Sequence, residues 1–467
     1  MTFDPTAVLV AGRITPPLDP GFRPAVLARR RLAELAANDP RAVPVALAVE
    51  QPGGYVCMRE SWVFPAGHAL EAAGLAVAER LVKTMLWSRG GFRVWVDGPG
   101  PLVAALRSYY ADDSLGRFDA EMMRKVYLRP MEVAAAPRSA FPASRESTIT
   151  LGGHLDGCRI GFDLGASDRK AAAVVDGEVV FSEEILWSPV GQADPAWHYE
   201  QINDSLKRAA AHMPRVDAIG GSAAGVYVDN EVRSASLFRA VPDADFGRAR
   251  ALFHDLQKAW GGVPFEVAND GDVTALAGSL GAGVGALIGI AMGSSEAAGY
   301  VTPDRSLTTW LNELAFTPID YALDAPVDEW SGDRGCGARY FSQQSLPRLL
   351  PAAGIEVPGA MPLPERLVKL QELMAAGDER AVRVYETIGA HFGYALLDYA
   401  DFYAIDNVLL LGRVATGRGG AVIQSGAETV LAAEGSRPIR FHEVSERDKR
   451  HGQAVAAASL PRIDRPS

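Results

Sequence analysis

Cys158-Arg-Ile-Gly-Phe-Asp-Leu-Gly-Ala-Ser167 opens the stretch that decides the fold. An apolar run ends at Asp163 and turns at Gly165. It is followed by residues 169–177 (RKAAAVVDG) and 177–185 (GEVVFSEEI). Three β segments joined by tight turns predict a meander. Downstream, residues 195–212 read as a helix and 217–232 (DAIGGSAAGVYVDNEV) contain a strand. Residues 246–260 read as a second helix and 264–270 (PFEVAND) as a buried strand. Residues 286–301 (ALIGIAMGSSEAAGYV) repeat the theme of strand, Gly/Ser turn and strand, so a second lobe is predicted. Two such lobes would enclose a cleft.

Working outward, residues 8–11 and 43–49 are predicted strands, and 68–85 is a predicted helix with apolar spacing near 3.6. Residues 92–98 (FRVWVDG) lead through Pro99 and Gly100 into a helix-like 102–111. That turn suits a ligand at a helix N-terminus, and equally plain strand–helix packing. Residues 134–150 shift to Ala, Pro, Ser and Arg without periodicity, as linkers do. The expected organisation is therefore an N-terminal α/β unit of unknown role at 1–132, a linker at 133–157, a first lobe at 158–285 to which a C-terminal helix returns, and a second lobe at 286–460.

With 467 residues the chain is too long for one ordinary core. Hydrophobic residues at 48% and charged residues at 22% exclude a disordered or fibrous chain. A net charge of -11 and a pI near 5.3 oppose general nucleic-acid binding, which neutralises phosphates with Lys and Arg. Cys57, Cys158 and Cys336 are too few and too scattered for a disulfide framework or a CxxC pair, which fits a cytoplasmic protein. No apolar run approaches the roughly 18 residues that span a bilayer, so no membrane partner is expected.

Four stretches carry candidate chemistry. Asp163, Gly165, Ser167 and Lys170 combine a strand-end carboxylate with a Gly hairpin, a hydroxyl and a cation, which suits a phosphate with Asp163 serving Mg²⁺. Asn269 and Asp270 follow a strand and precede a helix-like 273–282, where a base for a hydroxyl would stand. Asn-Asp-Gly is also a good turn. Gly293, Ser294 and Ser295 form a small-residue turn able to contact phosphates. Residues 409–420 (LLLGRVATGRGG) offer backbone on which a nucleotide could pack. Glycines after apolar strands also serve simple packing.

In this order the stretches resemble the ROK family over roughly residues 160–460. The family pattern D-x-G-x-[ST]-x-x-K is met by Asp163, Gly165, Ser167 and Lys170, and its Asn-Asp pair by Asn269 and Asp270. The resemblance implies an actin-like, ribonuclease H-like two-lobed α/β ATPase fold, preceded by a separate small α/β domain. It implies ATP and Mg²⁺ as cofactors, Asp270 as catalytic base, and Asn269 and Glu313 as acceptor contacts. Gly293, Ser294 and Ser295 correspond to a second phosphate turn, and Gly412, Thr416 and Gly417 to the adenosine segment. Residues 220–230 resemble the loop beside the sugar.

The chain departs from the pattern in three places. The motif E-x-G-H reads Glu313-Leu-Ala-Phe316, so its His is absent. The cysteine-rich zinc signature is reduced to Gly335-Cys336-Gly337-Ala338, and its second sugar-contacting Glu falls on Ala338. One Cys cannot supply about four ligands, so no structural zinc is expected. Asp324, Asp328, Glu329 and Asp333 are acids available nearby, although such clusters usually sit in solvent. The expected activity is a carbohydrate kinase acting on a sugar or polyol. The alternative is a non-catalytic sensor working through protein contacts. A homodimer is left open.

Overall fold

The computed structural model describes residues 3–111, 114–143, 145, 151–443 and 452–463. Among the described residues it has three main sheets, one of five strands and two of four. In the first lobe, β5 (Cys158–Leu164), β6 (Asp168–Val175) and β7 (Glu178–Leu186) form the predicted meander. β8 (Ala218–Ala223) and β11 (Phe265–Asn269) extend it in the order β11-β8-β5-β6-β7. The β5, β8 and β11 strands are mutually parallel, whereas β5, β6 and β7 alternate in direction. Every residue of β5 is buried, as a central strand covered on both faces requires, while β7 alternates exposed and half-buried positions as an edge does. A short hairpin, β9 (Val226–Val228) with β10 (Glu231–Ser234), follows β8.

The second lobe has the order β13-β12-β14-β15, from β12 (Leu287–Met292), β13 (Glu296–Val301), β14 (Asn407–Leu411) and β15 (Arg440–His442). The β12–β13 pair is the second expected hairpin, and β12, β14 and β15 run parallel. The Gln453–Ala458 helix returns to the first sheet. A Cβ on Gly161 would stand 1.8 Å from the Ala454 carbonyl oxygen, and one on Gly220 1.7 Å from that of Ala457. Only glycine at both strand positions lets the helix backbone lie this close.

The N-terminal unit has its own sheet, β2-β1-β3-β4, built from β1 (Val43–Glu50), β2 (Val56–Val63), β3 (Arg93–Asp97) and β4 (Glu132–Ala135). Its predicted helix runs over Glu71–Arg89, later than expected, because residues 65–70 turn first, with His68 Nδ1 accepting from the Leu70 amide at 3.1 Å. The expected strand at 8–11 is absent. Thr6–Val8 is a 3₁₀ turn in an arm whose amides find side chains instead of a sheet edge. Arg13 donates to Glu434, Ile14 to Tyr394 and Leu18 to Thr387, at 2.9 to 3.1 Å. The expected linker begins inside β4, and its residues 144 and 146–150 lie outside the described residues.

One apolar core joins this unit to the second lobe. Leu47, Val82 and Met85 share it with Ile288, Tyr340 and Leu396. The first lobe has its own core around Ile160, Phe162, Leu206 and Phe253. Among the described residues no helix is long and apolar enough to cross a membrane.

Candidate active site

The parallel arrangement of β5, β8 and β11 brings three strand ends side by side, with Asp163 paired to Ser222 and Ala223 to Asn269. Ligands of open α/β sheets bind at this carboxyl edge. Asp163 is 7% exposed; its Oδ1 accepts from Ser222 Oγ at 2.7 Å and from Gln453 Nε2 at 3.0 Å. Burial, with the nearby charge of Asp270 adding, pushes its carboxyl up to about 6.

Asn269 caps the Asp270–Ala282 helix, its Oδ1 accepting from the Gly271 amide at 2.7 Å, as Asn before a helix is suited to do. Its Nδ2 donates to the Gly225 carbonyl at 2.8 Å, tying down the loop after β8. Each end of the amide already serves the backbone once, and an acceptor hydroxyl would find the second Nδ2 hydrogen and the second lone pair of Oδ1. Asp270 is the first residue of the helix and accepts from Gly271 N at 3.0 Å; burial raises its pKa. Glu313 is pushed up to about 7 by burial and then by the charge of Asp270. Asp163, Asp270 and Glu313 therefore form one electrically coupled group of acids.

The first hairpin is arranged more tightly than its sequence implies. The Gly165 amide donates to Asp168 O at 2.9 Å, and Trp187 Nε1 donates to Gly165 O at 2.8 Å. Ser167 Oγ donates to Asp168 Oδ2 at 2.8 Å, and Lys170 pairs with Asp168 Oδ1 at 3.5 Å. Asp168 thus engages both the hydroxyl and the cation that were read as phosphate ligands.

In the second lobe, parallel β12 and β14 bring the Gly293–Ser295 turn beside Gly412. Gly293 N donates to Ser295 O at 2.9 Å, while Gln344 Nε2 reaches Ser294 O at 3.4 Å. Gly412 has φ +88°, and a Cβ there would sit 2.5 Å from Met292 O, so this crossing excludes other residues. Thr416 precedes the Gly417–Ala433 helix; its hydroxyl donates to Arg413 O at 2.8 Å and accepts from Gln371 at 3.1 Å. The Asp163 and Asp270 group stands on one sheet edge, and the Gly293 and Gly412 group on the other.

Sequence reasoning missed two buried acids beside this group. Asp272 accepts from the Tyr300 amide at 3.2 Å and from Asn312 Nδ2 at 2.9 Å, and burial pushes it up to about 7. Its place two residues after Asp270 was the available signal. Glu296 is 4% exposed, accepts from Tyr399 OH at 3.4 Å, has no hydrogen bond to Oε2 among the described residues, and is pushed up to about 8 by burial. Gln453 gives no local signal at all. Among the described residues no group of three or more His, Cys, Asp or Glu could hold a metal ion. Mg²⁺ asks less of a protein, since one or two carboxylates plus phosphate oxygens hold it, and Asp163 is the carboxylate at this strand edge that such an ion would use.

No family model matches the sequence, and no curated protein matches it. Solved structures do. A ROK hexokinase from Thermus thermophilus is 20% identical with a TM-score of 0.51, over 64% of this chain and 97% of its own. The chain has the ROK fold. A ROK family transcriptional regulator, a homologue of the E. coli MLC protein, is also 20% identical, with a TM-score of 0.52 over 66% of this chain and 79% of its own. The ROK fold thus serves both an enzyme and a regulator, and function has to be argued from the site. Neither match spans the whole chain, so the ROK fold coexists here with additional structure.

Proposed function

We propose that the chain transfers a phosphoryl group from ATP to a hydroxyl of a sugar or sugar-like polyol. The observation that carries this reading is the pair Asp163 and Asp270, standing at the carboxyl ends of strands in one parallel set, with the charge of Asp270 helping to raise the Asp163 carboxyl. Asp270 accepts the acceptor's O–H proton as that oxygen bonds to the γ-phosphorus and the bond to the β-phosphate's bridging oxygen breaks. Gly165, Ser167, Lys170 and Gly293–Ser295 border the phosphates, and Gly412, Thr416 and Gly417 the nucleoside. Glu313 and Asn269 orient the acceptor. Mg²⁺, held by Asp163 together with phosphate oxygens, would neutralise charge on the transferring group.

A base must be ionised to act, and burial raises the pKa of Asp270. Turnover should therefore fall as pH drops through that raised value. The test is ADP release by purified protein across hexoses, amino sugars, polyols and inositols, with Asp270→Asn alongside. The amide keeps shape but takes no proton, so turnover should vanish while ATP binding persists. Activity within a few-fold of wild type in Asp270→Asn would remove Asp270 as base.

A second reading, a sugar sensor acting through protein contacts, is supported by the likeness in fold to a ROK family transcriptional regulator. It expects sugar binding without any ADP release.

A further inference from the structure

The Glu71–Arg89 helix ends against the candidate acceptor loop. The last carbonyls of a helix have no partners within it. Here the carbonyls of Trp87, Ser88 and Arg89 accept in succession from the amides of Glu313 at 3.0 Å, Asn312 at 3.1 Å and Leu311 at 3.2 Å. Helix ends are ordinarily closed by their own following residues. Asn312 adopts a left-handed φ of +51°, and its side chain accepts from Tyr403 OH at 3.0 Å while donating to Asp272.

Two further contacts fix the same loop to the same helix. The ring of Phe316 lies 4.3 Å from that of Trp87. Farther along, Asp333 pairs with Lys83 at 2.8 Å and with Arg80 at 2.8 Å, all three deeply placed. Lys83 also pairs with Asp119 at 3.0 Å, and Asp119 accepts from Trp87 Nε1 at 2.8 Å. A buried ion cluster of this kind imposes one geometry, because losing any member strands an uncompensated charge.

We propose that the last two turns of the Glu71–Arg89 helix are the positioning clamp of the acceptor loop, with Trp87 and Lys83 as positioning residues, so that the N-terminal unit is a working part of the acceptor site. This rests on the reading of Glu313 as an acceptor contact. The nucleotide-side residues lie on other elements, so loosening the clamp weakens acceptor use and spares ATP.

The test uses the full chain. In hydrogen exchange, the amides of residues 311–313 should be as protected as those within the helix. Trp87→Ala should speed their exchange about tenfold or more and raise acceptor KM by about tenfold, with ATP KM within about twofold. Trp87→Phe, which keeps the ring contact, should recover most of both. Where Trp87→Ala does not fold, Phe316→Ala removes the same contact from the loop side and is read identically. The acceptor probe is whichever of glucose, N-acetylmannosamine, fructose or inositol supports ADP release by wild type. Unprotected amides at 311–313, or equal rises in both KM values, overturn the clamp. Protected amides with no sugar-dependent ADP release keep the clamp and sink the kinase reading.

Discussion

Glu296→Gln isolates the energetic consequence of burying acids beneath the acceptor loop. Glu296 is 4% exposed, among the described residues its carboxyl accepts one hydrogen bond, from Tyr399 OH to Oε1, and a Cβ on Gly337 would stand 2.5 Å from Oε2. No water-sized gap separates this carboxyl from backbone, and burial pushes it from 4.5 up to about 8. The folded protein therefore holds a proton that the unfolded chain releases. Its stability is greatest below the unfolded value near 4.5 and falls as pH rises towards 8. Each pH unit in that window is worth about 1.4 kcal/mol, so roughly 3 kcal/mol is lost by pH 7. Gln keeps the Tyr399 hydrogen bond and never ionises. Glu296→Gln should match wild type near pH 4.5 and exceed it by about 3 kcal/mol at pH 7. Urea titrations at several pH values measure this. A difference between the two proteins that does not change with pH would refute the argument.

Two further perturbations probe the other side of the cleft. Gly161→Ala would put a Cβ 1.8 Å from Ala454 O, forcing the Gln453–Ala458 helix off the first sheet and Gln453 away from Asp163. It should cost about 1–3 kcal/mol in a urea titration, and an unchanged midpoint would contradict the packing. Asp163→Ala should raise the Mg²⁺ concentration needed for ADP release, and an identical Mg²⁺ titration would argue against a metal role.

The first lobe was legible because its signals are local. The apolar segments and tight turns in 158–185 write the meander directly, and Asn269 before Asp270 is both a strand stop and a helix cap. What escaped were contacts made at long range. The arm at residues 5–24 has no periodicity, because its amides are met by side chains such as Tyr394 and Thr387 in the second lobe. Asp168 carries no such signal, because the hydroxyl of Ser167 and the cation of Lys170 suit a phosphate in sequence but meet Asp168 in the fold.

The departures from the family pattern show most clearly how local reading fails. Phe316 in place of His looks like a loss when only the ROK-like region is considered, and Asp333, next to the shortened Gly335-Cys336 motif, looks like an acid facing solvent. In the folded chain Phe316 meets Trp87, and Asp333 meets Lys83 and Arg80. All three partners come from the N-terminal unit, whose role the sequence left blank. An apolar ring at position 316 is stable only if something apolar covers it, and an acid at 333 can be buried only beside cations. The altered loop and the added N-terminal unit are therefore one structural solution, since each supplies the groups that the other would leave unsatisfied.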